Sequence, residues 1–253
     1  MKAGRAGAES GEACRFLMVA HGGDDVLWER DLCPCDFVAG EDGVPHRLYR
    51  AFMRRSVLMP LDGLPPAGVP VVVLPWFLQS GVIVRENLPR ALAQAYAASA
   101  EVPSFEIRPV LGGEPFFVRL VEDAVLARMR PGDTLLLMAH GNRISSELPP
   151  EPQLVLDRLL DAAESRFGYR PEGAVACFDG VPGAADVVPG LKARRVVVLP
   201  YLMANGMHAR ESMPGAELAA ALGREFEVLP PAGALLRRGL EGDVLALPEA
   251  WRA

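Results

Sequence analysis

The sequence predicts an α/β protein made of two homologous domains, each built on an open, doubly wound parallel sheet. Three observations support this fold class. Short runs of consecutive apolar residues are typical of parallel strands that are buried on both faces. Segments with apolar residues at helical spacing lie between these runs, and the two halves of the chain repeat the same blocks. The apolar runs cover residues 16–20, 71–74, 135–139, 174–178 and 196–199.

The repeat consists of three blocks that return in the same order at nearly one offset. The blocks pair residues 16–23 (FLMVAHGG) with 135–142 (LLLMAHGN), 71–89 with 196–214, and 105–129 with 226–247. In the second pair, nine of the nineteen positions are identical. A period of this length is far too long for a solenoid. It indicates two homologous domains, 1–130 and 131–253.

Helices are predicted between the strands. Pro89 falls in the first turn of one helix, where proline is tolerated. Gly168 follows another helix, as a C-terminal cap does. Strand, helix and strand at this spacing predict a right-handed crossover in each half. The predicted helices are 88–98, 117–129, 154–167 and 213–222.

The middle of the first half departs from this pattern, because residues 24–42 show no clean period. A basic run follows at Arg47, Arg50, Arg54 and Arg55, and its spacing is roughly helical. We predict that this run forms the solvated face of a helix. Contact with an anion across a cleft is the alternative.

The composition excludes several classes of function. The chain has 253 residues and a net charge of −6, and no basic stripe of the kind that binds nucleic acid is visible. No apolar run reaches the roughly 20 residues that cross a bilayer, and the polar N-terminus has no secretory pattern. We therefore expect a cytoplasmic protein. The spacing in Cys33-Pro34-Cys35 favours reduced thiols, with an iron–sulfur or metal-sensing role as the alternative.

The histidines carry the functional prediction, because the chain has only four. His21 and His140 come directly after strand-like runs, and His208 lies shortly beyond another. Ligands of open α/β sheets bind at the carboxyl ends of the strands. Imidazoles are good ligands for iron, cobalt, nickel and zinc. The pair His140 and His208, at matching strand ends of one domain, therefore predicts a metal site.

An acidic side chain would complete this site. Asp179 follows a strand-like run in the same half and is the first candidate, with Glu211 as the second. For any single histidine, a hydrogen-bonded side chain at a strand end is the alternative interpretation. The matched pair favours a function.

Other catalytic classes find less support. A strand followed by His-Gly also opens phosphoryl-transfer sites of the phosphoglycerate mutase type, but those sites have an arginine immediately before the histidine. Here Ala20 and Ala139 take that place. The sequence contains no G-x-G-x-x-G, Walker A or G-x-S-x-G pattern, so nucleotide binding and a serine-hydrolase elbow are not indicated.

The segments AHGNR (139–143) and PYLMANGMHARESMP (200–214), each after a strand, resemble the class II tetrapyrrole metal chelatases. This family includes the cobalt and iron chelatases of sirohydrochlorin and, more distantly, the protoporphyrin ferrochelatases. The resemblance implies two Rossmann-like α/β domains that face each other across a cleft. It also implies a metal held beside the macrocycle by two histidines, His140 and His208, and by an acidic residue, Asp179.

The first half departs from the family pattern. One family histidine falls on His21, but the second falls on Ile83. The resemblance therefore implies that the working metal site is in the second half and that the site of the first half is degenerate. His21 is then a residue that contacts the substrate.

The resemblance implies a carboxylate-rich macrocycle as the substrate. Arg143, Arg210 and Arg85 lie two or three residues beyond the histidine positions and are predicted to pair with its carboxylates. Solvated surface arginines are the alternative. Apolar residues after two strands are predicted either to pack on the flat macrocycle or to fill the core. These residues are Trp76, Phe77, Tyr201, Leu202 and Met203.

The resulting hypothesis is a lyase-type enzyme that inserts Co²⁺ or Fe²⁺, with Ni²⁺ as a further candidate, into sirohydrochlorin or a related tetrapyrrole in cobalamin or siroheme biosynthesis. One alternative is a non-catalytic carrier or sensor of the same fold, and another is a domain that works inside a larger assembly. The metal is a substrate, and no organic cofactor, nucleic acid or membrane partner is expected. Either a monomer or a homo-oligomer fits the sequence.

Overall fold

Two sheets of mainly parallel strands, with helices packed against them, form the fold in a computed structural model. It describes residues 15–21, 35–39, 44–54, 56–141, 148–203, 222–238, 244–246 and 251. The strands are β1 (Arg15–His21), β2 (Phe37–Ala39), β3 (Pro45–Arg54), β4 (Val57–Pro60), β5 (Val71–Trp76), β6 (Phe105–Ile107), β7 (Thr134–Gly141), β8 (Gly173–Asp179), β9 (Arg195–Tyr201), β10 (Glu225–Val228) and β11 (Val244–Ala246). The α-helices are α1 (Leu88–Ala95), α2 (Pro115–Leu126), α3 (Glu151–Phe167), α4 (Ala184–Val187) and α5 (Ala232–Arg238).

The topology confirms the predicted α/β class, with one departure. The second sheet has the order β10-β9-β7-β8, and its strands are parallel. The first sheet has seven strands in the order β11-β2-β3-β1-β5-β6, with β4 paired to β3. Because β2 and β4 run antiparallel to β3, this sheet is mixed, whereas the sequence predicted a parallel sheet. The departure lies next to the region without a clean period.

The strand register confirms the internal repeat. β1 pairs with β5 in the same register as β7 with β9, and β5 pairs with β6 in the same register as β9 with β10. The equivalent pairs are Leu17–Val73 with Leu136–Val198, and Val71–Phe105 with Val196–Phe226. The two halves therefore share one backbone frame around their central strands.

Two glycines mark the same close approach in both halves. A Cβ atom on Gly112 would collide with the carbonyl oxygen of Leu78, just after β5. A Cβ atom on Gly233 would collide with the carbonyl oxygen of Met203, just after β9. Only glycine allows the backbone to pass this closely.

Three of the four predicted helices are confirmed as α1, α2 and α3. Gly168 caps α3 with a φ of 79°, and its N–H donates to the carbonyl oxygen of Glu164 at 2.8 Å. Pro89 is the second residue of α1, but a π-helical turn, Ile83–Asn87, precedes this helix. The fourth predicted helix, 213–222, lies almost wholly outside the described residues.

The prediction of a helix for the basic run is wrong, because residues 45–54 form the strand β3. Buried Leu48 and half-buried Phe52 pack against one core, whereas Ala51 and Met53 are buried in another. This alternation is the period of a strand. Arg47 and Arg50 therefore lie on opposite faces. Arg47 stacks over the ring of Tyr49 at 4.9 Å, and Arg50 Nε donates to Asp62 Oδ2 at 2.6 Å.

The two sheets share one large hydrophobic core. It contains side chains from β1 and β5 of the first sheet, from β7 and β9 of the second, and from α2, α3 and α5. Two smaller cores cover the other faces of the sheets. Near its end the chain returns to the first sheet, where β11 pairs with β2. Beyond β6, at the other edge of this sheet, Trp251 Nε1 donates to the carbonyl oxygen of Pro109 at 2.8 Å. The division into domains 1–130 and 131–253 stays a prediction.

Two further sequence expectations concern the cellular environment. Within the described ranges, no helix has both the length and the apolar character to cross a membrane. Cys35 and Cys177 are buried, and burial raises the pKa of the Cys177 thiol, which favours its protonated form. Cys33 lies outside the described residues.

Candidate active site at the carboxyl ends of the strands

His21 and His140 occupy equivalent positions at the carboxyl edges of the two sheets. His21 is the last residue of β1, and His140 is the second-to-last residue of β7. The residues before them in both strands are buried, and both histidines are exposed. The strands therefore deliver one imidazole from each half to the solvent-facing edge, as expected for ligand sites in α/β sheets.

The two imidazoles interact electrostatically across the halves. Burial by the surrounding protein lowers the pKa of His21, and the charge on His140 lowers it further. The ring of His21 also contacts the ring of Phe77 edge-on, with centroids 6.5 Å apart. The surrounding protein therefore lowers the pKa of His21 by removing water from part of its ring, although the side chain as a whole is exposed. At neutral pH this histidine is uncharged, so one ring nitrogen can accept a proton or bind a cation.

His140 is oriented by its own backbone. Its Nδ1 lies 3.2 Å from the carbonyl oxygen of Gly141. With the proton on Nδ1, this contact is a hydrogen bond, and the lone pair of Nε2 is left to face a ligand.

Asp179 reaches the same edge of the sheet as His140 because β8 pairs with β7. Asp179 ends β8 and is in register with Gly141, the residue after His140. Gly141 has a φ of 74°, and a Cβ atom there would collide with the carbonyl oxygen of Asp179. The glycine therefore lets the two strand ends approach, and it brings the carboxylate of Asp179 to the edge that carries His140.

Below this edge, Tyr201 links the two halves. Its hydroxyl donates to the carbonyl oxygen of Leu78 at 3.1 Å, and its ring meets Phe117 at a steep angle. Burial raises the pKa of Tyr201 well above its usual value, so the hydroxyl stays a donor. Trp76, Phe77 and Leu202 are also buried. Core packing is therefore the correct interpretation for these predicted macrocycle contacts, while Met203 is half-buried.

The structure describes only part of the predicted site. His208, Arg143 and Arg210, with the second acidic candidate Glu211, lie outside the described residues. Among the residues it describes, no three His, Cys, Asp or Glu side chains lie close enough to hold a metal ion. The third metal ligand predicted from the sequence is the undescribed His208. The roles of His140, Asp179 and His208 as ligands therefore stay predictions.

Arg85 and Ile83 lie in the π-helical turn that follows β5. Arg85 is exposed, and its Nη2 donates to Ser80 Oγ at 3.0 Å. Ile83 packs against the outer core of the first half. An isoleucine here fills a hydrophobic contact and offers no ligand atom.

Sequence analysis missed two features of this edge. One is the interaction of His21 with His140, which depends on how the two sheets are placed against each other. The other is that the basic run, predicted as a helix, reaches this edge as the strand β3, which ends at Arg54. No pattern in residues 45–54 indicates this strand clearly, and the internal repeat does not extend to it.

Comparisons with known proteins agree with this architecture. Residues 41–127, from β3 to α2, match the CbiX family model. The fold is similar to that of CbiX, described as the terminal enzyme for siroheme biosynthesis in denitrifying bacteria, with 21% identity and a TM-score of 0.59 over 88% of this chain and 96% of that chain. It is similar to SirB from Bacillus subtilis with Fe³⁺, with 14% identity and a TM-score of 0.61 over 89% of this chain and 92% of that chain.

A third solved structure is the sirohydrochlorin chelatase SirB from Bacillus subtilis subspecies spizizenii in complex with cobalt. It shares 13% identity and a TM-score of 0.57 over 89% of this chain and 91% of that chain. No curated protein matches the sequence. The matched family segment and the shared fold confirm what the sequence motifs indicated: the chain has the two-sheet fold of the CbiX and SirB chelatases and resembles the class II tetrapyrrole chelatase family.

Proposed function

We propose that the protein is a lyase-type chelatase that inserts a divalent metal ion, Co²⁺ or Fe²⁺, into sirohydrochlorin or a closely related tetrapyrrole, in the biosynthesis of siroheme or cobalamin. One observation carries the proposal. Two histidines from equivalent strand ends interact at the edge that also holds Asp179, within a fold shared with solved chelatases. These are the groups that metal insertion needs.

The residues of this edge would have two separate roles, binding of the metal ion and acceptance of a proton. Nitrogen and oxygen donors at His140, Asp179 and the undescribed His208 would hold the incoming ion while it loses water. Such a mixed set suits Co²⁺, Fe²⁺ and Ni²⁺ and binds them less firmly than thiolates would, so the ion can be released to the macrocycle. The ion replaces two protons on pyrrole nitrogens, and these protons need an acceptor.

His21 fits the role of proton acceptor. Its lowered pKa keeps the imidazole neutral near pH 7, so its lone pair is available to take one pyrrolic proton, while the second proton would pass to solvent water. His21 comes from the opposite half, so the ion and the base can act on the macrocycle from different sides. Arg85, with Arg143 and Arg210, would pair with the carboxylates of the substrate.

The proposal includes both cobalt and iron as metal substrates. The solved relatives are described with Fe³⁺ in one case and with cobalt in another. The donors proposed here favour neither metal strongly.

The test measures the rate of metal insertion from the change in absorbance of the macrocycle. Sirohydrochlorin is mixed anaerobically with Co²⁺, Fe²⁺ or Ni²⁺, and the macrocycle band is followed with and without protein. We expect acceleration by the wild type and a loss of about a hundredfold or more in His140→Ala, His208→Ala and Asp179→Asn. His46→Ala is the matched control, because His46 lies near the start of β3, where its ring is tilted against the ring of Phe16 with centroids 5.6 Å apart.

Two outcomes would contradict the proposal. Full activity in all three site variants would show that metal insertion takes place in another part of the molecule. Stable, stoichiometric binding of metal or macrocycle without acceleration would support the second candidate function, a non-catalytic carrier or sensor. Ile83 favours this candidate, because it packs in the core where the family pattern has a histidine.

A further inference from the structure

A hydrogen-bonded arginine and serine lie in the segment that follows β5. Arg85 Nη2 donates to Ser80 Oγ at 3.0 Å. The backbone N–H of Arg85 donates to the carbonyl oxygen of Gly81 at 3.0 Å, so the arginine is tied to this segment through both its main chain and its side chain. The start of the segment is anchored as well, because the Tyr201 hydroxyl donates to the carbonyl oxygen of Leu78 at 3.1 Å. The protein itself therefore orients the guanidinium.

This arginine–serine pair belongs to the face of the first sheet that carries His21. Leu17 and Val19 are buried in the outer core of the first half, so alternation along β1 directs the side chain of His21 to the same face. Phe77 belongs to that core and contacts the ring of His21. Val84, in the turn that carries the arginine, is buried in the same core. The pair and His21 therefore share one face and one edge of the sheet.

The serine orients the guanidinium without neutralising its charge, because a hydroxyl oxygen accepts a hydrogen bond but is uncharged. Arg90, in the helix that follows, differs from Arg85 because its Nη2 lies 3.6 Å from Glu86 Oε2 in an ion pair. Within the described part of the chain, Arg85 forms no such pair with an acidic side chain. The serine uses one of several N–H donors, so the others can bind a carboxylate through two parallel hydrogen bonds.

The two halves of the sequence share this pair, although they do not share the histidine between its members. In the second block of the repeat, Ser80 aligns with Asn205 and Arg85 aligns with Arg210. Serine and asparagine side chains both offer an oxygen that accepts a hydrogen bond. Ile83, in contrast, stands where the second half has a histidine. The arginine of the first half therefore occurs without a metal ligand in its own segment.

We propose that Ser80 is a positioning residue that holds the guanidinium of Arg85 ready for a peripheral carboxylate of the tetrapyrrole. This inference rests on the proposed function and deepens it, because it gives the first half an anion-binding role that needs no second metal site. The serine acts through the arginine. It restricts the guanidinium to one geometry, so less conformational entropy is lost when the carboxylate binds.

The experiment measures the Kd of metal-free sirohydrochlorin by anaerobic absorbance titration of the full chain. We expect Arg85→Gln to raise the Kd about tenfold and Ser80→Ala to raise it about threefold, because without the serine the guanidinium is present but not oriented. Ser80→Thr should restore most of the affinity, since threonine keeps the hydroxyl. The matched control is Arg90→Gln, which removes the same charge from an arginine already paired with an acid and should change the Kd less than about twofold.

A double-mutant cycle distinguishes positioning from a merely structural role. If the serine acts through the arginine, Ser80→Ala should have no further effect on the Kd in the Arg85→Gln background. In steady-state kinetics, both single variants should raise the KM for the macrocycle and leave the KM for the metal ion near the wild-type value. Thermal unfolding checks the fold of each variant, and Arg85→Lys replaces Arg85→Gln if the latter is unfolded.

Two results would overturn this inference alone, provided that the wild type inserts metal. One is an effect of Ser80→Ala that persists in full when Arg85 is replaced. The other is a Kd that Arg85→Gln changes no more than Arg90→Gln does. Failure of the wild type to bind the macrocycle at all would overturn both the inference and the proposed function.

Discussion

His21 shows how a single side chain can be tuned by its place at a strand end. Its pKa is lowered from 6.5, first by burial and then by the charge on His140. NMR titration of the metal-free protein should therefore give a pKa below 6.5 for His21. In His140→Ala the pKa should rise only part of the way back, since burial persists. An unchanged pKa in this variant would show that the two rings do not interact.

Because its pKa is lowered in the folded protein, His21 also makes the free energy of unfolding depend on pH. Below pH 6.5 the unfolded chain takes up a proton on this imidazole more readily than the folded protein does. The free energy of unfolding should therefore fall as the pH drops from above 6.5 through the lowered pKa. Urea unfolding at several pH values measures this slope. His21→Gln, which cannot titrate, should make the slope shallower.

At the level of single residues, the sequence predicts where His140 and Asp179 lie but not what surrounds them. Each follows an apolar run, and the polarity of a parallel strand alone places such residues at the ligand edge. The interaction of His21 with His140 could not be predicted in the same way, because it depends on packing between the two sheets. The strand that carries Arg54 was not predicted, because the spacing of Arg47, Arg50 and Arg54 is that of one face of a helix.

Among the described glycines, Gly112, which follows β6, is one of the positions where a side chain would collide with the backbone of another segment. A Cβ atom on Gly112 would collide with the carbonyl oxygen of Leu78 and with the hydroxyl of Tyr201. Gly112→Ala should therefore destabilise the protein by about 1–3 kcal/mol or more. The control is Gly113→Ala, whose Cβ atom would meet only a side-chain atom of Leu154 at 3.5 Å. Urea unfolding of both variants tests the contrast, and equal losses would show that the approach at Gly112 is not tight.

The central strands show where local sequence rules fall short. The sequence predicts that the runs 71–74 and 196–199 end at a proline, yet β5 and β9 continue through Pro75 and Pro200. The carbonyl oxygen of Val73 accepts a hydrogen bond from the backbone N–H of Arg108, on the side of β5 that faces β6. Because backbone groups two residues apart in a strand point to the same side, the nitrogen of Pro75 also faces β6. β6 has already ended there at Ile107. The missing N–H therefore leaves no gap in the sheet.

Strand β3 was predicted least well, for a related reason. Its neighbours are β1, which lies well before it in the chain, β2, which lies in the stretch without a clean period, and β4, which follows it in a hairpin. Pairing with them decides the conformation of residues 45–54, and local helical spacing does not. The buried strands β1, β5, β7, β8 and β9 were predictable because a continuous apolar run leaves them few alternatives.

For the whole molecule, the shared core determines how the halves depend on each other. The helix α2 belongs to the first half of the sequence, yet it packs with α3 and α5 of the second. The strand β11, near the end of the chain, pairs with β2 of the first sheet. Fragments 1–130 and 131–253 should therefore fail to unfold cooperatively when expressed alone and should regain a cooperative transition when co-expressed. Circular dichroism during urea unfolding measures this, and a cooperative transition of either fragment alone would contradict it.

The matched register of the two halves has a consequence for stereochemistry. A flat guest between two walls with the same backbone would meet nearly equivalent surroundings on its two faces if the side chains were also the same. At one pair of equivalent positions, however, the walls carry a guanidinium at Arg54 and a carboxylate at Asp179. The equivalence of the two halves is thus broken at this position. For the proposed tetrapyrrole substrate, this difference would distinguish one face of the ring from the other and would favour a single orientation of its unevenly substituted rim.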